Sequence, residues 1–199
     1  MFLVVGLGNP GKRFAETRHN AGFRVVELVA ERLQCPWKSA DRFSWARGMV
    51  GEKTVYLVKP LTFMNLSGEG LLAFFAHHGH AFEDMVVVHD ELDFPPGVVR
   101  IKRGGGVAGH RGLQSLVEAL GRNDFVRVRV GIGKPEGKDL VVDHVLGIPE
   151  GEERVLLEAA ERKAAEAVLY ILEHGVEKAM SIYNAREGKR ERDGQEEAC

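Results

Sequence analysis

Apolar positions in this chain fall into short continuous runs that alternate with stretches of helical spacing. Residues 2–7 form an apolar run ending in glycine, which reads as a buried strand, and residues 8–17 read as loop. A helix capped by Thr17 or Asn20 and running to about Leu33 is predicted from the stripe Phe23, Val26, Leu28, Val29 and Leu33. Residues 44–50 and 54–58 read as paired strands around the turn at Gly51. Ser67 is expected to cap a helix that stops at Gly79. Residues 85–89 read as a buried strand, followed by an acidic loop that begins at Asp90 and then a Pro95-Pro96-Gly97 turn. Further strands are predicted over 98–102 and 126–132, with a glycine-rich loop at 104–109 and a helix over 110–120 between them. Residues 135–138 read as loop, and helices are predicted over 150–173 and 176–185. From Arg186 onward the chain is charged and nearly free of apolar residues, so 186–199 is expected to be a disordered tail beyond one domain, 1–185. Strands alternating with helices predict a single-domain α/β fold, a twisted, mostly parallel mixed sheet flanked by helices. Ligands gather beyond the carboxyl ends of such strands, which puts Asn9 and Asp90 on one rim.

Composition narrows the class. Hydrophobic residues are 44% of the 199 and charged residues 28%, an ordinary soluble balance. No apolar run approaches the roughly 20 residues of a membrane helix, and the N-terminus lacks a signal peptide's basic start. No membrane association is expected, and the location is expected to be cytoplasmic. The cysteines are Cys35 and Cys199, and neither a stabilising disulfide nor a CxxC metal site is expected from them. The formal net charge is −2, yet residues 98–134 hold Arg100, Lys102, Arg103, Arg111, Arg122, Arg127, Arg129 and Lys134 against only Glu118 and Asp124. A near-neutral protein with one such stretch can hold a polyanion on one face, although a solvated surface would look the same.

Gly6-Leu7-Gly8-Asn9-Pro10-Gly11 matches GxGxxG after a strand. A dinucleotide fingerprint needs a helix that opens inside the glycines and an acid at the end of a second strand. Here the helix is predicted to begin later, and Glu27 and Glu31 fall inside it. The motif therefore reads as a tight turn, and a nucleotide-dependent oxidoreductase is the weaker alternative.

Candidate chemistry sits in a few side chains. His19 stands in Thr17-Arg18-His19-Asn20, and a lone histidine is more often structural than catalytic. His77, His78 and His80 flank a helix stop, where imidazoles cap carbonyls, and no acid or cysteine beside them completes a metal set. Asp90 could orient a histidine and fix its tautomer. Asn65, in Phe63-Met64-Asn65-Leu66-Ser67-Gly68, is expected to be a buried amide free for a substrate carbonyl, since Ser67 is the better helix cap. No serine or cysteine occupies a nucleophile elbow. One histidine, carboxylates and amides suit direct attack by water with histidine as general base.

Taken together and in this order, the motifs at Gly6–Gly11, Thr17–Gly22, Phe63–Gly68 and His89–Asp93, with the Gly104-Gly105-Gly106 loop, closely resemble the bacterial-type peptidyl-tRNA hydrolases, over nearly the whole chain to about Ala185. The resemblance implies a monomeric α/β enzyme without metal or other cofactor that hydrolyses the ester between peptide and tRNA. It implies that His19 is the base, that Asp90 holds it in its proton-accepting form, and that Asn9 helps distinguish a blocked peptidyl ester from free aminoacyl-tRNA. By the same resemblance Asn65 binds substrate and helps place water, Phe63 lines the site for the tRNA 3′ end, and Lys102 and Arg129 clamp a 5′ phosphate of the acceptor stem. Two positions depart from the family pattern. Phe14 stands where tyrosine is usual, which keeps ring stacking but loses a hydroxyl. Arg111 stands where asparagine is usual, so that side chain donates hydrogen bonds but cannot accept them. A non-catalytic RNA-binding relative of the same fold would keep the basic face without needing His19, Asp90 and both amides.

Overall fold

In the computed structural model, which describes residues 1–79, 81–82 and 84–185, a seven-stranded sheet forms the middle layer. His80, Cys199 and the whole segment read as a charged tail, 186–199, lie outside the described residues. The strands are β1 (Phe2–Gly6), β2 (Lys38–Ser39), β3 (Phe43–Val50), β4 (Lys53–Pro60), β5 (Met85–Glu91), β6 (Val99–Arg103) and β7 (Val126–Gly131), in the order β2-β3-β4-β1-β5-β7-β6. The central strands β4, β1, β5 and β7 run parallel. Antiparallel partners complete both edges, β2 and β3 on one side and β6 on the other. The α/β single-domain reading holds, with the parallel part confined to the centre.

Period-two alternation sends the two halves of each strand into separate cores. Val4, Val86, Val88, Val128 and Val130 pack under α1 (Ala21–Arg32) and α5 (Gly151–His174). Leu3, Val5, Val58 and Val87 pack under α2 (Ser67–His78) and α3 (Arg111–Leu120). Helix α2 stops where expected, at Gly79 with φ 74°. A five-residue helix, α4 (Val141–Val145), preceded by a 3-10 turn over Lys138–Leu140, was not predicted, and α6 (Val176–Tyr183) ends the described chain. Among the described residues no helix is long and apolar enough to cross a membrane.

Glycines let α1 press onto the strand ends. A Cβ at Gly22 would lie 2.4 Å from the Val88 carbonyl oxygen and 2.6 Å from the Leu7 amide nitrogen. A Cβ at Gly6 would meet the Gly22 oxygen at 2.4 Å, and one at Gly8 the Phe23 ring at 2.6 Å. The first two glycines of the GxGxxG run thus serve helix packing, and α1 begins at Ala21, well past Gly11. This close approach brings the 3-10 turn Arg18–Asn20 up to the end of β5.

Candidate active site

A cleft of about 390 Å³ opens at the carboxyl ends of β1 and β5. His19, Asp90, Asn9, Phe14, Phe63, Asn65 and Arg111 all line it, although they come from four stretches of chain. Lys102 and Arg129 do not line it.

Asp90 is the pivot. It was expected in a loop past the strand, but β5 continues through Glu91 because β7 keeps pairing with it, Asp90 opposite Val130 and Glu91 opposite Gly131. Its carboxylate is buried at 2% exposure and shared by two imidazoles. Oδ2 lies 2.8 Å from His19 Nδ1, and Oδ1 lies 2.8 Å from His110 Nε2. Burial alone would raise the Asp90 pKa, but the two imidazoles overcome it and hold the carboxyl well below the usual range, so Asp90 stays ionised.

The tautomers follow from these contacts. An ionised carboxylate only accepts, so His19 Nδ1 and His110 Nε2 both carry hydrogens. His110 caps α3, and its Nδ1 accepts the Leu113 backbone N–H at 3.3 Å. Both of its ring nitrogens are thereby used. His19 keeps one nitrogen, Nε2, with no partner among the described residues, on a ring 12% exposed to the cleft. Burial lowers the His19 pKa and Arg111 lowers it further, but the charge and hydrogen bond of Asp90 prevail and the net shift is upward. Nearby His89, fully buried, is pushed down to about 3 by burial first and His110 second, so it stays neutral.

Asn9 is fixed from three sides. Asn20 brackets its backbone, with Oδ1 accepting the Asn9 N–H and Nδ2 donating to the Asn9 carbonyl, both at 2.9 Å. Asn20 does hold the N-cap position of α1, one of the two expected, but its side chain is committed to Asn9 and makes no capping bond, while the hydroxyl of Thr17 donates to Phe14 O. Asn9 Oδ1 accepts the Met64 N–H at 2.8 Å, which fixes the amide's orientation and leaves Nδ2 as a donor for the cleft.

Two expectations around Asn65 are corrected. Asn65 is exposed, not buried, because the 3-10 turn Met64–Leu66 turns Met64 inward and Asn65 outward. Its amide has no partner among the described residues. Ser67 is not the cap of α2: Leu66 holds that position, and the buried Ser67 hydroxyl donates to Met64 O. Gly68 then meets α3, its N–H bonded to Ser115 Oγ at 2.9 Å.

At the rim, the Phe14 and Phe63 rings meet edge to face at 6.4 Å, and Phe63 is 57% exposed. An apolar wall of the cleft comes from the unpredicted α4 and the residue after it: Val141, Val142, Val145 and Leu146. Lys102 and Arg129 lie on one face of the β6–β7 pair but are diagonal neighbours, since Lys102 opposes Arg127 and Arg100 opposes Arg129. Arg129 approaches Glu91, a residue of the cleft, at 4.0 Å. Arg127 is buried at 1% and donates to the carbonyls of Gly105 and Gly106, pinning the glycine loop.

Sequence reasoning missed the roles of His110, Asn20 and Arg127 in the site, and helix α4. The signal for His110 was its position at the first residue of a predicted helix, directly after the glycine loop. His19, Asp90 and His110 could together offer metal ligands within 4.8 Å of one another. A zinc ion, however, with bonds of about 2.0–2.1 Å in a tetrahedral site, would hold ligand atoms roughly 3.3 Å apart. The observed 2.8 Å separations fit shared protons. The histidines at the end of α2 sit apart, His78 Nδ1 lying 3.1 Å from Phe74 O, as a helix-end role requires.

Known proteins are similar to this chain over most of its length. A family model described as Peptidyl-tRNA hydrolase matches residues 3–192. The chain is 49% identical over 183 residues to the peptidyl-tRNA hydrolase of Rubrobacter xylanophilus, covering 92% of this chain and 99% of that one. It is 43% identical over 186 residues to the peptidyl-tRNA hydrolase of Syntrophomonas wolfei, covering 92% and 100%. A crystal structure of peptidyl-tRNA hydrolase from Acinetobacter baumannii superposes with TM-score 0.86 at 41% identity, covering 93% of this chain and 95% of that one.

Proposed function

From the premise that this chain belongs to the peptidyl-tRNA hydrolase family, we propose how its own residues cut the ester between a peptide and tRNA. The observation that carries the reading is the single free ring nitrogen of the triad: Asp90 occupies His19 Nδ1 and both ring nitrogens of His110 are taken, so Nε2 of His19 alone can accept a proton.

His19 Nε2 takes a proton from a water in the cleft, and the water oxygen attacks the ester carbonyl carbon. The carbonyl oxygen becomes an oxyanion, met by Asn9 Nδ2 and the exposed amide of Asn65. The intermediate collapses with cleavage of the bond to the terminal ribose oxygen, which recovers the proton from His19. Asp90 stays ionised throughout and stabilises the imidazolium. Asn9 also reads the peptide bond of a blocked substrate, which a free aminoacyl ester lacks.

Phe14 and Phe63 stack on the unpaired tRNA 3′ end. Lys102, Arg129 and the rim cation Arg111 hold acceptor-stem phosphates, so affinity is salt-dependent and nearly independent of sequence. The cleft is complete within one chain, which supports a monomer, and a tRNA substrate supports a cytoplasmic location. The non-catalytic RNA-binding alternative is not favoured, since it leaves the triad without a task.

The test is release of N-acetyl-amino acid from N-acetyl-aminoacyl-tRNA, with unblocked aminoacyl-tRNA as control. Turnover of the blocked substrate with little of the control is expected. Equal turnover of both would remove Asn9 from its reading role, and turnover of neither would overturn the hydrolase reading.

A further inference from the structure

His19 and Arg18 are neighbours in the same 3-10 turn, yet their side chains diverge. His19 goes to Asp90, while Arg18 goes the other way, to the segment that walls the cleft. Its guanidinium makes a two-point pair with Glu153, Nε to Oε1 at 2.6 Å and Nη2 to Oε2 at 3.0 Å. The remaining Nη1 donates to the carbonyl of His144, in α4, at 3.0 Å. The Arg18 backbone N–H donates to the carbonyl of Gly147, just past α4, also at 3.0 Å. A Cβ on Gly147 would lie 2.6 Å from Arg18 Nη1, so a larger residue there would push the guanidinium aside.

Glu153 is suited to its end of the clamp. It sits in the first turn of α5, where the helix dipole favours a carboxylate, and its hydrogen bond to Arg18 lowers its pKa. The Arg18 side chain is only 13% exposed, so this ion pair is screened less than a surface one. Helix α4 has just five residues and cannot hold itself together. Its other restraints are the buried Val145 and the His144 ring, whose Nε2 donates to the carbonyls of Ile132 and Gly133 at 3.0 and 3.1 Å. Yet α4 and the residue after it present Val142 and Leu146, both exposed, to the cleft.

We propose that Arg18 is a positioning residue for the peptide half of the substrate: it clamps the apolar α4 wall at a set distance from the turn that carries His19. The exposed valine and leucine of the wall suit apolar peptide side chains near the ester, and the clamp holds that wall in place, so its loss weakens peptide binding equally in the ground and transition states. This rests on the hydrolase reading above and adds to it a residue that touches neither substrate nor reacting atoms.

The test compares steady-state kinetics of Arg18→Ala, Arg18→Lys and Glu153→Gln on one tRNA carrying either a single acetylated amino acid or an apolar tripeptide. For Arg18→Ala the KM for the tripeptide substrate should rise about tenfold, with a smaller rise for the acetylated one and kcat within about twofold of wild type. The acid limb of the pH profile should not move, because the His19–Asp90 pair is untouched. Arg18→Lys should fall between, since an ammonium can reach Glu153 but lacks the planar fork. Glu153→Gln removes the charge while leaving the bond to His144, and it should raise the tripeptide KM by a smaller factor. If Arg18→Ala does not fold, the Glu153→Gln result decides alone, and an unchanged tripeptide KM overturns the proposal. A fall in kcat at constant KM, or an equal rise in KM for both substrates, also overturns it. Wild-type enzyme that cleaves neither substrate would instead overturn the hydrolase reading itself.

Discussion

Asp90→Asn should abolish most turnover while leaving the fold intact, and the reason is hydrogen-bond parity. The aspartate accepts from two imidazoles at once, His19 Nδ1–H and His110 Nε2–H, each at 2.8 Å. Asparagine offers one acceptor and one donor in the same place. If its Nδ2 faces His110, that ring must move its hydrogen to Nδ1, which already receives the Leu113 N–H, and two donors then collide in a buried site. That arrangement costs about 1–3 kcal/mol for the unsatisfied donor. If Nδ2 faces His19, no two donors collide, but His19 must then carry its hydrogen on Nε2 and can no longer accept from water. The second arrangement wins on energy and is the inactive one. General-base help is worth about 10² to 10⁴ in rate, or roughly 3–5 kcal/mol of barrier, and kcat should fall by a factor in that range.

The pH profile supplies an independent check. Burial lowers the His19 pKa but Asp90 outweighs it and raises it above the ordinary histidine value, so with His19 as the proposed base the acid limb of activity should lie above that value, with rate lost as the base protonates below it. Without the Asp90 charge, only the lowering influences of burial and Arg111 remain, so the limb should move to lower pH. The assay is kcat/KM for N-acetyl-aminoacyl-tRNA across pH, with circular dichroism to confirm folding. A folded Asp90→Asn enzyme with kcat within about fivefold of wild type, or with its limb moved to higher pH, would refute the tautomer argument.

Other outcomes follow from the same geometry. Asn9→Asp keeps the acceptor for Met64 N–H but loses the Nδ2 donor, so the protein should fold while kcat drops about 10²- to 10³-fold, and a loss under about threefold in single-turnover rate would count against the oxyanion role. Gly22→Ala puts a Cβ 2.4 Å from the Val88 oxygen, against sheet backbone that cannot yield, and should destabilise by at least about 3 kcal/mol, lowering Tm by roughly 6–12 °C; a calorimetric Tm within about 2 °C of wild type would contradict it. Lys102→Ala or Arg129→Ala should weaken binding evenly across tRNAs and reduce the slope of log K against log salt by about 0.7–0.9 for each phosphate that the variant no longer neutralises, measured by filter binding; an unchanged slope would take that residue off the phosphate face.

Much of the cleft was legible because its residues sit in short motifs at strand ends, where apolar runs give way to glycine and amides. The convergence of His19 on Asp90 was readable only through resemblance, since it depends on Gly22 allowing α1 to touch Leu7 and Val88. Asp90 was misplaced because its strand is extended by pairing with Val130 of β7, a long-range effect with no local signature. His110 was overlooked because a histidine at a helix start looks the same whether or not a carboxylate waits across the fold. Helix α4 was missed because Val141–Val145 is a single turn and a half without a side-chain cap, held by Arg18 and His144 and not by its own propensity. Asn65 was expected as a buried amide beside a helix start, yet the 3-10 turn there sends Met64 inward and leaves Asn65 exposed.

The central claim is that one unoccupied imidazole nitrogen drives the hydrolysis. Single-turnover cleavage of N-acetyl-aminoacyl-tRNA by His19→Ala, measured beside the Kd for uncharged tRNA, examines it most directly. The expected result is cleavage indistinguishable from the uncatalysed rate with tRNA affinity within about twofold of wild type. A His19→Ala protein that still releases the acetylated amino acid at near wild-type rate would show that another group activates the water.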